Sequence, residues 1–137
     1  MTNFKEVDTM NKQTVSTQNA PAAIGPYSQG IKVGNLIFTS GQLPMNPKSG
    51  ELAADIEGAT KQSLDNVKAI LEAADSSMDK VVKTVVFLRD MNDFVAMNAV
   101  YATYFPTNPP ARSAVQVARL PKDAILEIEA VALAETI

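Results

Sequence analysis

Polar and apolar positions alternate through GIKVG, reach a Gly34-Asn35 turn, and continue into LIFTS, a run of strand formers. This pattern predicts a hairpin with Ile31 and Val33 on its first strand and a second strand over residues 36–40, ending at Ser40-Gly41. Residues 11–15 alternate over a shorter stretch and predict an edge strand. Between them, NAPAAIGPYSQG (residues 19–30) carries two prolines and two glycines and predicts an ordered loop. MNPKSGE (residues 45–51) is a turn cluster. The spacing then changes from two to about 3.6. Ile56, Ala59, Ser63, Val67, Ile70 and Ala74 form one stripe with Leu64 and Leu71 beside it, which predicts a long helix. Asp55 is its expected N-cap, with Glu57 in the first turn. VVKTVVFLRD (residues 81–90) is almost continuously apolar and predicts a central strand covered on both faces. A second helix is expected over about residues 92–105, with Phe94, Met97, Tyr101 and Tyr104 along one side and Pro106 as its stop. Two last strands, residues 112–118 and 124–134, flank a short Leu120-Pro121-Lys122-Asp123 turn.

The order β-β-β-α-β-α-β-β predicts an α+β domain with two helices on one face of a mixed sheet. The other face then lacks a cover, and subunit association is the natural one. The pattern defines a polar extension at residues 1–10, with Met10 as an alternative start, and one domain over residues 11–137. At 137 residues the chain suffices for a single core. MTNFKEVDTM has neither the basic nor the apolar region of a secretory signal, and no apolar run approaches a membrane span, so a cytoplasmic protein is expected.

Composition narrows the chemistry. The chain has no cysteine and no histidine, which excludes disulfides, thiolate nucleophiles, Ser-His-Asp triads and cysteine- or histidine-ligated metals. Acid-base work must fall to carboxylates, tyrosine, lysine or the backbone. A net charge of −3 and a pI near 4.9 supply no basic footprint for nucleic acid.

A few polar residues do not fit the pattern. In AILEIEAVALA, Glu127 and Glu129 stand among apolar neighbours, where carboxylates are costly unless solvated or paired. Either that face borders solvent or a subunit seam, or one glutamate lines a pocket as a general base. Arg112 follows Pro109 and Pro110 at a strand entrance, and a planar guanidinium suits bidentate capture of a carboxylate. Taking the last two strands as a hairpin with an odd pairing sum puts Arg112, Ala114 and Gln116 on the face of Glu127 and Glu129. Arg112 then stands roughly 13 Å from Glu127 along the strand, and a one-residue slip reverses the face. Across a subunit seam, Arg112 would instead meet a neighbour's Glu127. Tyr27 in the Gly25-Pro26 turn, Ser40-Gly41 at a strand end and Asn98 inside a helix are further candidates, each with an ordinary structural role as its alternative.

NAPAAIGPYSQG, LIFTSGQLP, QSLDNVKAILEAA, VVKTVVFLRDMNDF, PPARSAVQVARLP and EIEAVA together resemble the reactive-intermediate deaminases (RidA, formerly YjgF), in order over about residues 15–134. The resemblance implies a fold like the bacterial trimeric chorismate mutases, a homotrimer with sites between subunits. It also implies hydrolysis of enamine and imine intermediates, 2-aminoacrylate and 2-iminobutanoate, to 2-keto acids and ammonia. These are released by pyridoxal-phosphate-dependent dehydratases, and the family needs no metal or cofactor of its own. By motif, Arg112 in PPARS would bind the substrate carboxylate, and Glu127 in EIEA would orient or activate water. Tyr27, Ser40 and Gly41 would line the pocket, Asn98 would support it, and the Ala114 backbone could touch the ligand. Many relatives carry cysteine where this chain has Ala114 and glutamate where it has Gln116, so no thiol-dependent property carries over. The rival reading is a non-catalytic trimer that binds small metabolites. Relatives have also been labelled ribonucleases or translation inhibitors, for which the acidic balance gives no support.

Overall fold

The computed structural model describes residues 11–134; the extension expected over residues 1–10 and the alternative start at Met10 lie outside them. Among the described residues six strands form one sheet: β1 (Gln13–Val15), β2 (Gly30–Val33), β3 (Leu36–Thr39), β4 (Val81–Leu88), β5 (Ala111–Gln116) and β6 (Leu126–Leu133). Helix α1 (Ile56–Ala73) joins β3 to β4, and α2 (Phe94–Tyr104) joins β4 to β5. The sheet order is β1-β2-β3-β6-β4-β5, antiparallel except for the β4–β5 pair. This is the expected α+β arrangement, a mixed sheet with two helices on one face.

Asp55 caps α1, its carboxylate accepting from the Gly58 N–H at 3.2 Å. The predicted stripe is buried at Ala59, Ser63, Leu64, Val67, Ile70 and Leu71. It packs on Ile37, Val86, Leu126 and Ile128, which are fully buried side chains of the sheet. Each such aliphatic side chain contributes about 1.5–3 kcal/mol on burial, so packing outweighs local propensity in holding the helix. Helix α2 follows a 3₁₀ turn, Met91–Asp93, capped by Asp90, and ends one residue before Phe105-Pro106. Met97 and Tyr101 form its buried face.

Three sequence expectations need correction. β5 and β6 do not form a hairpin. β5 lies parallel to β4 on the far side from β6, because α2 makes a β-α-β crossover that returns β5 alongside β4. The connection between β5 and β6 passes around the end of β4, tied there by Val117 N–H to Leu88 O and Arg89 N–H to Ile125 O. Pro121–Asp123 turns within it, with Lys122 and Asp123 at φ of 57° and 55°.

The second correction follows from that register. Thr84 lies between Arg112 and Ala130, whereas Phe87 is opposite Glu127 and Val85 is opposite Glu129. Since alternate residues face opposite sides, Arg112 and Ala114 look toward the helices and both glutamates look away from them. The third concerns β4, which is central but, among the described residues, covered on one side only. Val85 and Phe87 are half-buried on the open face, beside the exposed Phe38, Val115 and Leu133.

Candidate active site

The Glu127 half of the site originates in an irregularity of the sheet. β3 and β6 pair regularly as far as Phe38 opposite Val131, and contact resumes at Gln42 opposite Ile128. Three residues, Thr39 to Gly41, therefore oppose two, Glu129 and Ala130, which is the signature of a β-bulge. Thr39 repairs the ladder with its side chain: its Oγ1 accepts the Ala130 N–H at 3.0 Å. Ser40 turns back toward the preceding loop, donating its hydroxyl to Ser28 O at 2.5 Å. Gln42 then exchanges both backbone bonds with Ile128, at 2.7 and 3.1 Å. The excursion lays the Gly41 backbone directly over the Glu127 side chain.

Gly41 is needed there for space. A Cβ built on it would stand 2.8 Å from the Glu127 carboxyl carbon. We expect Gly41→Ala to swing the carboxylate aside and lower turnover about tenfold or more. The displaced group is a flexible side-chain end, so the melting temperature should change little. Thermal melts and rate measurements on one preparation check this, and an active, equally stable variant would contradict the packing described.

The loop over residues 19–30 closes this half. Buried Gln29 holds it, accepting from Thr17 N at 2.6 Å and donating to the carbonyls of Thr17, Ala20 and Pro21 at 3.0, 3.2 and 2.8 Å. At about 1 kcal/mol net per bond, this one side chain largely fixes a segment that has no ladder of its own. Gly25, at φ 121°, makes the turn that carries Pro26 and Tyr27 outward. The resulting cavity of about 570 Å³ is lined by Ile24, Tyr27, Ser40, Gly41, Lys122 and Glu127, among others. Burial, and then the neighbouring Glu129 carboxylate, push Glu127 above the ordinary carboxylate value.

The Arg112 half lies on the helix side. Arg112 donates from Nη1 to Asn98 Oδ1 at 2.7 Å. Its guanidinium carbon stands 4.7 Å from the Tyr101 ring centroid and 5.5 Å from that of Phe94. Asn98, Tyr101, Ala102, Phe105, Pro109, Pro110 and Arg112 line a separate hollow of about 510 Å³. Ala114 is half-buried against the core on the same side as Arg112, opposite Val86.

Of the residues singled out in the sequence, Tyr27, Ser40, Gly41 and Glu127 thus converge in one cavity, and Arg112 and Asn98 in another. The described residues of one chain do not bring the two sets together. Sequence reasoning missed Gln29, Thr84 and Lys122 as parts of this architecture, and placed Tyr101 only along one side of the second helix. Tyr101 was accessible, because a residue at i+3 from Asn98 shares its helix face. Gln29 had no comparable signal, since it sits in a loop without periodicity. Among the described residues, no cluster of three or more carboxylates could hold a metal ion, and no helix is long and apolar enough to cross a membrane.

This combination of fold and pockets has counterparts. The family model described as endoribonuclease L-PSP matches residues 17–134, and the chain belongs to that family, the one its motifs resemble under the name of reactive-intermediate deaminases (RidA/YjgF). Among individual proteins, the chain is 56% identical over 124 residues to 2-iminobutanoate/2-iminopropanoate deaminase of Escherichia coli K12, spanning 88% of this chain and 97% of that one. It is equally similar, 56% over 125 residues, to a RutC family protein of Pyrococcus horikoshii, spanning 90% and 99% of the two chains. The crystal structure of the Escherichia coli YjgF gene product superposes with a TM-score of 0.87 at 56% identity, covering 90% of this chain and 99% of that one. Escherichia coli TdcF, solved with bound serine, gives 0.87 at 49% identity, covering 90% and 99%.

Proposed function

We propose that this chain is a hydrolase acting on C–N bonds, converting 2-iminobutanoate, 2-iminopropanoate and their enamine tautomers such as 2-aminoacrylate to 2-keto acids and ammonia. The observation that carries this reading is Glu127. It is a half-buried carboxylate, raised above its usual value and held against Gly41 in a cavity with a phenol and a hydroxyl, in a chain 56% identical to a deaminase of that name. Such a group is suited to take a proton at one step and return it at the next.

An iminium carbon is already electrophilic, so the chemistry needs positioning and one proton carrier. Arg112 holds the substrate carboxylate through its free N–H groups. Water forms a C–O bond to the iminium carbon while Glu127 accepts a water proton, giving a carbinolamine. Glu127 then returns a proton to nitrogen and the C–N bond breaks. The carbinolamine hydroxyl gives its proton back to the Glu127 carboxylate as its oxygen becomes the ketone. Ammonia takes that proton and leaves as ammonium, which restores the carboxylate. Tyr27, Ser40 and Gly41 shape the pocket, and the Ala114 backbone borders the ligand.

Arg112 and Glu127 face opposite sides of the sheet, so the complete site lies between subunits of a homotrimer, with one subunit's arginine reaching the next subunit's Glu127 cavity. The exposed apolar residues Phe38, Val115 and Leu133 on the open face support this assembly. Complementation tests it. Arg112→Ala and Glu127→Gln chains, each inactive alone, should regain activity when unfolded and refolded together. Any mixed trimer contains one intact site, so equal mixing should restore about a quarter of the wild-type rate. No recovery would contradict a site shared between subunits.

The substrates arise from pyridoxal-phosphate-dependent dehydratases acting on serine or threonine, which sets the protein's place beside them in the cytoplasm. Added to a threonine dehydratase reaction, pure protein should accelerate 2-oxobutanoate appearance without changing threonine consumption. Binding of 2-oxobutanoate with no acceleration would instead identify a metabolite-binding regulator.

A further inference from the structure

We propose that Tyr101 is a positioning residue for the substrate carboxylate: its ring, fixed from behind by Thr84, sets the plane in which Arg112 presents its guanidinium. The inference rests on the reading of Arg112 as the carboxylate anchor and adds how that anchor is oriented.

A guanidinium binds a carboxylate through two parallel N–H groups only when its plane is set correctly. The Asn98 bond engages Nη1 and fixes one point of that plane. Rotation about the Nη1···Oδ1 line stays open to it. The Tyr101 ring, 4.7 Å from the guanidinium carbon, supplies a second, facial constraint, and Phe94 at 5.5 Å bounds the same group. Four of the five guanidinium N–H groups remain for a ligand once Asn98 has taken one.

Tyr101 can serve as a platform because it is itself immobile. It is 6% exposed, and its hydroxyl lies 2.6 Å from Thr84 Oγ1 in a buried contact. Phe105 packs on its ring at 4.8 Å with a 44° tilt. Thr84 is the register partner of Arg112 across the β4–β5 ladder. Tyr101 therefore touches both strands at one row of the sheet: its hydroxyl meets β4, and its face meets the β5 side chain. Burial also pushes the phenol above its ordinary value, so Tyr101 stays neutral and its ring face, not a phenolate, meets the cation.

The test measures binding of 2-oxobutanoate and of its uncharged methyl ester to the pure protein by calorimetry, alongside kcat and KM. Arg112→Lys serves as the reference variant. Tyr101→Leu should weaken 2-oxobutanoate binding and raise KM by about tenfold, with ester binding and kcat within about threefold. Tyr101→Phe, which keeps the ring and loses the Thr84 contact, should weaken acid binding about two- to threefold. Thr84→Val should match it and provides the readout if Tyr101→Leu does not fold. Equal losses for acid and ester, or a fall in kcat alone, would show a merely structural tyrosine and overturn the proposal while Arg112 stands. Arg112→Lys with unchanged acid affinity would overturn the anchor reading, and the proposal with it.

Discussion

Arg112→Ala is expected to lower kcat/KM by roughly 150- to 5,000-fold. Bidentate contact with a carboxylate comprises two charge-assisted hydrogen bonds, and losing both costs about 3–5 kcal/mol of transition-state stabilisation. The loss should appear for every 2-imino acid regardless of side-chain length, because the carboxylate is common to all of them. Structure should suffer little. Arg112 is only half-buried, and its removal forfeits one bond to Asn98 and a contact with the Tyr101 and Phe94 rings. Steady-state kinetics with sizing chromatography check both halves of the expectation. An alanine variant of unchanged kcat/KM would sink the anchoring role.

Glu127→Gln should reduce kcat by about 10²–10⁴, the usual contribution of a positioned proton carrier, with KM nearly unchanged. Its pH behaviour is equally specific. Burial and Glu129 raise Glu127 in the folded protein, so the limb where activity falls on acidification should lie above the ordinary carboxylate range. That limb should vanish in the glutamine variant. The same shift carries a stability consequence of fixed sign. With its folded value raised, Glu127 favours the folded state fully below its unfolded pKa, and that contribution is lost as pH rises through the folded one. Above its raised folded pKa the wild type bears a half-buried, ionised carboxylate, which glutamine avoids. The inactive variant should therefore melt higher than wild type on the alkaline side of that pKa, and the gap should close in acid. A variant less stable at both pH values would contradict the assigned burial cost.

Much of this architecture is legible in the chain. The α1 stripe, the Asp55 cap, the Gly34-Asn35 hairpin and the α2 stop at Pro106 follow from periodicity and turn chemistry. Parity across non-neighbouring strands is not legible in the same way. The short turn at Pro121–Asp123 suggests a hairpin, and nothing local shows that β4 comes between β5 and β6. That depends on the α2 crossover and on which strand the apolar β4 accepts on each side. Glu127 was visible as a polar break in an apolar run. The contact that gives it meaning, with Gly41, spans the gap between two strands and a bulge, and side-chain patterns carry no trace of it. Arg112 was visible through its Pro-Pro approach, whereas its Asn98 and Tyr101 supports needed the helix to be docked.

The bulge makes chain length, more than residue identity, the guarded property of the segment over residues 39–41. Removing one residue there would leave Gln42 opposite Ile128 in an unbroken, more regular ladder, yet it would withdraw the backbone that lies over the Glu127 carboxylate. Tolerance to insertion and deletion should therefore be lowest at this point. The loops over residues 46–50 and 106–110 hold no backbone over Glu127 and can change length at far smaller cost.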